Sequence, residues 1–199
     1  MSDDPTPSTP AAPPADAAAE TATGTSSQAA RDVVVLPDAE ATRAFGRALA
    51  GVLRAGDLVI LTGDLGAGKT TLTQGIGAGL GVRGQVASPT FIVAREHPSL
   101  VGGPALVHVD AYRLGSLDEV DALDLDSSLE ESVTVVEWGS GLVEALAGDR
   151  LEIVLERPRG DATGGTSDDE DAPEAGARRV TVRGVGPRWA DLDVAALSR

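Results

Sequence analysis

No cysteine occurs in the 199 residues. That excludes disulfide stapling, thiolate zinc sites and cysteine nucleophiles, and it fits a reducing compartment. Asparagine is absent as well, and lysine occurs once, at Lys69. A guanine reader of the Asn-Lys-x-Asp type is therefore impossible. Histidine is nearly absent, with only His97 and His108, so a histidine-based metal site is disfavoured. Basic charge is scarce too. The formal net charge is −15, which argues against a chain that tracks a phosphate backbone on its own, because that affinity comes mainly from Lys and Arg. If nucleic acid matters, a partner holds it. No apolar run approaches the roughly twenty residues of a membrane span, and the N-terminus lacks a basic region followed by a hydrophobic one. No membrane association and a cytoplasmic location are the expectations. The length allows one ordinary domain plus tails.

What is present is the stretch GDLGAGKTT, which satisfies G-x-x-x-x-G-K-[ST] without mismatch. It runs through Gly63, Asp64, Leu65, Gly66, Ala67, Gly68, Lys69, Thr70 and Thr71. The apolar run 58–61 precedes it, and Leu72, Ile76 and Leu80 follow at helical spacing. This is the strand–loop–helix context that the pattern requires. Gly63, Gly66 and Gly68 let backbone N–H groups turn inward around an anion, and a helix starting near Lys69 adds its positive end. Lys69 is expected to reach terminal phosphates, and the Thr70 hydroxyl to ligate magnesium. The other fifteen cationic residues are all arginine, whose planar fork cannot replace a compact ammonium in such a loop.

Around this centre the chain reads as α/β, with a mixed sheet flanked by helices. Residues 1–31, rich in Ala, Pro, Ser, Thr and acids, read as a disordered tail because they have little to bury. The domain is expected over 32–184. A short strand at 33–36 leads into a helix through Ala41, Phe45, Ala48, Leu49 and Val52 that ends at Gly56. The all-apolar strand 58–61 is expected at the sheet centre, covered on both faces. Gly79 and Gly81 stop the next helix, and 91–94 reads as strand-like. Ser88 and Thr90, in Ser-Pro-Thr, are either turn-entry residues or phosphate-sensing switch hydroxyls.

Two strand ends carry carboxylates. Strand 105–109 leads to Asp110 within HVDAYRL, and strand 133–136 leads to Glu137 and Trp138. Ligands gather at the carboxyl ends of strands in such folds, so both acids are candidates to meet a metal ion or its waters. The alternative for Asp110 is an N-terminal helix cap. His108 alternates with Val107 and Val109, which suits a packed or hydrogen-bonding structural role. Trp138 either covers the site or fills core. The acidic stretch LDEVDALDL packs its apolar residues at i, i+3 and i+6 and turns its acids to water. Strands 151–155 and 179–182 flank an acidic, Gly-rich insert, about 158–177, expected to be disordered. Residues 185–199 read as a C-terminal tail that either forms a short helix docking Trp189, Leu192 and Leu197 or stays loose.

A nucleotide-driven switch or ATPase, a small-molecule P-loop kinase and a passive binding module all remain compatible with the motif. Few arginines lie near the candidate site, mainly Arg95 and Arg113, which weakens the kinase reading because a kinase lid usually carries several. The succession GDLGAGKTT, SPTF, HVDAYRL and VVEW, in this order and at these separations, closely resembles the bacterial TsaE (YjeE) ATPases of tRNA threonylcarbamoyladenosine biosynthesis. The resemblance covers about residues 33–155. It implies a mixed-sheet P-loop ATPase that binds ATP or ADP with Mg2+ and acts with the TsaB and TsaD proteins, meeting tRNA only through that complex. It further implies Thr70 and Glu137 as magnesium-side ligands, Gly63 through Thr71 as the phosphate loop, Asp110 and Trp138 as functional positions, and a backbone or apolar nucleotide contact at Ala39. Lys69, Asp110 and Glu137 are then the expected catalytic residues of a weak, partner-stimulated ATPase.

Overall fold

The computed structural model describes residues 31–89, 93–158 and 176–199. The expected N-terminal tail up to residue 30, the switch candidate Thr90 and nearly all of the acidic insert lie outside the described residues, while Arg31, expected at the end of the tail, opens a strand.

The strand β1 (Arg31–Leu36) precedes a helix α1 (Ala39–Ala50). Asp38 starts this helix by accepting the Ala41 N–H at 2.8 Å, as an N-cap carboxylate does. The helix closes earlier than Gly56. Gly51 caps it through the Ala48 carbonyl, and Val52, expected on the apolar stripe, is left exposed. Next come β2 (Leu58–Thr62) and α2 (Lys69–Leu80). Gly81, at φ 65°, ends α2 in the left-handed conformation that favours glycine. Gly79 does not stop the helix but lies inside it, against α1, where a Cβ would come within 2.5 Å of Ala50. Gly46 and Gly75 meet the facing helix as closely, so the absence of side chains is what lets the two helices interlock.

The edge strand β3 covers Ala94–His97, so of the strand expected over 91–94 it includes Ala94, while Phe91 and Ile92 lie outside the described residues. Val93, at φ 69°, donates its N–H to the Pro89 carbonyl at 2.8 Å. The chain turns there, so a strand cannot run through it. Further along are β4 (Ala105–Asp110), the short helices α3 (Leu117–Asp121) and α4 (Leu125–Leu129), and β5 (Ser132–Glu137). The acidic stretch breaks into two helices because Asp124 adopts φ 49°. After β6 (Arg150–Glu156) and β7 (Arg178–Val185), the C-terminal segment makes a turn at Pro187–Trp189 and ends in α5 (Val194–Leu197).

Among the described residues, seven strands form one sheet in the order β1-β7-β6-β2-β5-β4-β3. The four inner strands β6, β2, β5 and β4 run parallel, and β1, β7 and β3 add antiparallel pairs. This is the mixed α/β sheet read from the sequence, with β2 in the middle and fully buried from Leu58 to Leu61. Alternation divides its side chains between two cores. Val59 and Leu61 face α1 and α2 together with Leu106, Val133 and Val135. Leu58 and Ile60 face the other side with Val107, Val109, Val136, Val120 and Leu125. Each fully buried Leu, Ile or Val contributes about 1.5–3 kcal/mol relative to exposure. The C-terminal segment is docked: Trp189 and Val194 are buried in the first core. Arg188 stacks on Trp189 and reaches the buried Asp57 at 3.1 Å.

Candidate functional site

The loop between β2 and α2 takes positive φ at Gly63 (149°) and Gly68 (107°). A side chain at Gly63 would strike the Leu155 carbonyl, and one at Gly68 would meet the Arg178 side chain at 3.6 Å. Conformation favours glycine at both positions, and at Gly63 space requires it as well. The loop delivers Lys69 and Thr70 as the first residues of α2. Here the unpaired N–H groups of a helix start collect.

Strand register brings the acids to the same place. β4 lies beside β5 with Asp110 opposite Glu137, and β5 lies beside β2 with Glu137 opposite Leu61. The parallel strands therefore end together. Thr70 Oγ1 donates to Glu137 Oε1 at 2.9 Å across 67 residues of sequence and lies 3.3 Å from Oε2. His108, with no exposed surface, donates from Nε2 to the same Oε1 at 2.8 Å. Asp110 Oδ1 accepts the Tyr112 N–H at 3.0 Å, and Oδ2 accepts the Ser88 hydroxyl at 3.3 Å.

Lys69 is folded back onto its own loop. Its Nζ donates to the carbonyls of Gly63 at 2.7 Å and Asp64 at 3.0 Å, and lies 3.7 Å from the centre of the Trp138 ring. Burial pushes the Lys69 pKa below the ordinary 10.5, while the negative charges of Glu137, Asp110 and Asp64 oppose that shift. Trp138 holds φ 62° and meets Tyr112 edge to face at 5.2 Å. A non-glycine residue at positive φ next to a buried acid marks a position held by its surroundings. Of the two roles open to this indole, covering the site is the one observed.

These residues line one cavity of about 590 Å³, formed by Leu65, Gly66, Gly68, Lys69, Thr70, Thr71, Ser88, Asp110, Tyr112, Glu137 and Trp138. Gly63 and Asp64 face a separate depression beside Glu156 and Arg157. Ala67 is buried beneath the loop. Ala39 does not line the cavity either: the cap at Asp38 starts α1 so that Ala39 is buried. Sequence reasoning did not place Tyr112 on a cavity wall, and it did not pair His108 with Glu137. The period of two in HVDAYRL sets His108 on the same face as Asp110, but the pairing with Glu137 needs the strand order.

Chemically, the cavity combines one ammonium, one hydroxyl and two carboxylates around a glycine-rich helix start. No group of three His, Cys, Asp or Glu side chains able to hold a metal occurs among the described residues. A divalent cation here would use Thr70 and one or two acids, and take its remaining oxygens from water or phosphate. That sparse donor set fits Mg2+, which keeps several waters and borrows phosphate oxygens, and does not fit an all-protein cage.

The fold and the site define a class: α/β proteins whose glycine-rich strand-to-helix loop meets strand-end carboxylates at the carboxyl edge of a mixed sheet. The model of the family "Threonylcarbamoyl adenosine biosynthesis protein TsaE" matches residues 36–163, more than half of the chain. The chain belongs to the TsaE family. It is similar to the tRNA threonylcarbamoyladenosine biosynthesis protein TsaE of Streptomyces coelicolor, with 60% identity over 78% of this chain and 99% of that one. It is also similar to TsaE of Bacillus subtilis, with 38% identity over 75% and 84% of the two chains. The crystal structure of Bacillus subtilis YdiB superposes with a TM-score of 0.61 at 31% identity, covering 86% of this chain and 96% of that one. No helix among the described residues is long and apolar enough to cross a membrane.

Proposed function

We propose that this chain binds ATP or ADP with Mg2+ and is a weak, partner-stimulated ATPase of the tRNA threonylcarbamoyladenosine modification machinery. In this reading it is a cytoplasmic nucleotide switch on the TsaB–TsaD pair and meets tRNA only through them. One observation carries the nucleotide part: Thr70, from the glycine-rich loop, and Glu137, from a strand end, meet at 2.9 Å beside Lys69. Family membership and the names of its relatives support the pathway.

Bound Mg2+ and nucleotide supply a polarised terminal phosphate and a cation that shares its charge. Lys69 neutralises phosphate oxygens with the ammonium now held by the Gly63 and Asp64 carbonyls. Thr70 and Glu137 hold the cation side. Asp110, kept in place by the Tyr112 N–H, orients the attacking water as a carboxylate acceptor. Trp138 and Tyr112 exclude bulk water, which strengthens each of these interactions. The Ser88 hydroxyl donates to Asp110, the link by which hydrolysis changes the surface offered to partners. P-loop switches without a supplied arginine are slow, so turnover by the chain alone is feeble.

Phosphate release is measured with and without TsaB, TsaD and tRNA, alongside calorimetric ADP binding to the wild type and Lys69→Ala. Stimulation by the partners is expected, together with a loss of ADP affinity on the order of a hundredfold in a variant that melts like the wild type. Phosphoryl transfer to a metabolite in place of water would convert the reading to a small-molecule kinase. Absence of phosphate release with all partners present would reduce it to a passive binding module.

A further inference from the structure

We propose that His108 is a positioning residue for the cation side of the site: it anchors one oxygen of Glu137 so that the other is presented to Mg2+. This rests on the Mg2+-nucleotide reading above and adds to it a residue that touches neither ligand.

Alternation along β4 places Leu106, His108 and Asp110 on the face covered by α2, and alternation along β5 places Val135 and Glu137 there too. His108 therefore lies one rung deeper than Asp110, behind the cavity wall and among apolar neighbours. An imidazole in that place is costly unless it has a polar task. The task is visible at one atom. Nε2 lies 2.8 Å from Glu137 Oε1, whereas Nδ1 is equally buried and has no hydrogen-bond partner among the described residues. A carboxylate can only accept, so the ring donates an Nε2–H to it. Oε1 also accepts the Thr70 hydroxyl at 2.9 Å. Both donors thus converge on one oxygen, and Oε2 keeps only the longer 3.3 Å approach of that same hydroxyl. A carboxylate pinned at one oxygen cannot swing, so its second oxygen is set before the cation arrives. Outer partners of metal ligands act in this way, and their loss typically costs 10–100-fold in metal affinity.

The test is the Mg2+ dependence of ADP binding, measured by calorimetry for the wild type, His108→Leu, His108→Gln and His108→Asn, with thermal melts of each. In His108→Leu, the Mg2+ concentration giving half of the gain in ADP affinity should rise about 10–100-fold. ADP binding in EDTA should stay within about twofold of the wild type, because the loop and Lys69 are intact. A glutamine amide nitrogen reaches the place of Nε2 and an asparagine one does not, so His108→Gln should recover most of the loss and His108→Asn little. The Gln–Asn contrast decides the matter even if the leucine variant does not fold. A Mg2+ curve for a folded His108→Leu that superimposes on the wild type overturns the proposal, and so does equal impairment in Gln and Asn. A wild type whose ADP binding ignores Mg2+ would instead remove the Mg2+ part of the site reading, on which this proposal rests.

Discussion

One face of the sheet lies under two interlocked twelve-residue helices, α1 and α2, with Trp189 and Val194 of the C-terminal segment completing the cover. The other lies under α3 and α4, five residues each, and the stretch around the short turn Glu144–Leu146. The site straddles this difference. Lys69 and Thr70 begin a helix locked into the first face. The strands bearing Asp110 and Glu137 continue at Ala111 and Gly139 into segments that cover the second, where Ala111 and Val143 are buried. Segments with little buried apolar surface are the ones that open first, so the second face is the side of the site that moves at lower cost.

The largest expected effect tests the fixed side. Trp189→Ala removes a buried indole at the edge of the first core and should destabilise the fold by about 3–5 kcal/mol in urea denaturation. A loss below about 1 kcal/mol would mean that the C-terminal segment does not hold this face. Leu125→Ala, the matching truncation on the second face, should cost about 2 kcal/mol, the low end for such changes, because short helices can collapse into the space. Native-state hydrogen exchange sharpens the same contrast: amides of α3 and α4 should open well before those of α2, and equal protection would erase the distinction.

The smallest effect concerns His97, buried at the rim of the first face, with Nδ1 on the Arg83 carbonyl at 3.3 Å and Nε2 unpaired. Burial holds its pKa below the ordinary 6.5, and the positive charge of Arg95 pushes in the same direction. With the folded value below the unfolded one, acidification through 6.5 protonates the unfolded chain first. Stability therefore falls as pH drops from 6.5 toward the folded pKa, by at most about 1.4 kcal/mol per pH unit. His97→Phe should flatten that part of the stability curve, and an unchanged slope would assign it to other groups.

Much of the architecture was legible because its signals are local. The unbroken Leu-Val-Ile run of β2 announced a strand buried on both faces, and the glycine pattern before Lys69 announced a helix start. Positions set by backbone geometry were harder. The left-handed turns at Val93 and Asp124 moved one strand and split one helix; a β-branched valine argues against such a conformation, and an aspartate tolerates it without marking it among the many acids of that stretch. The early end of α1 followed from hydrogen bonds that Gly51 makes, not from any breaker at Gly56.

By itself, the sequence determined which residues could carry the chemistry: a single lysine in a glycine-rich loop, and acids at the ends of apolar runs. Those choices follow from residue type and spacing along one segment. Only the tertiary structure decided that Thr70 touches Glu137, that His108 stands behind it, that Trp138 covers Lys69, and that Ala39 stays out of the cavity. These contacts join segments far apart in the chain, and strand order and register, which no local pattern specifies, bring them within hydrogen-bond reach.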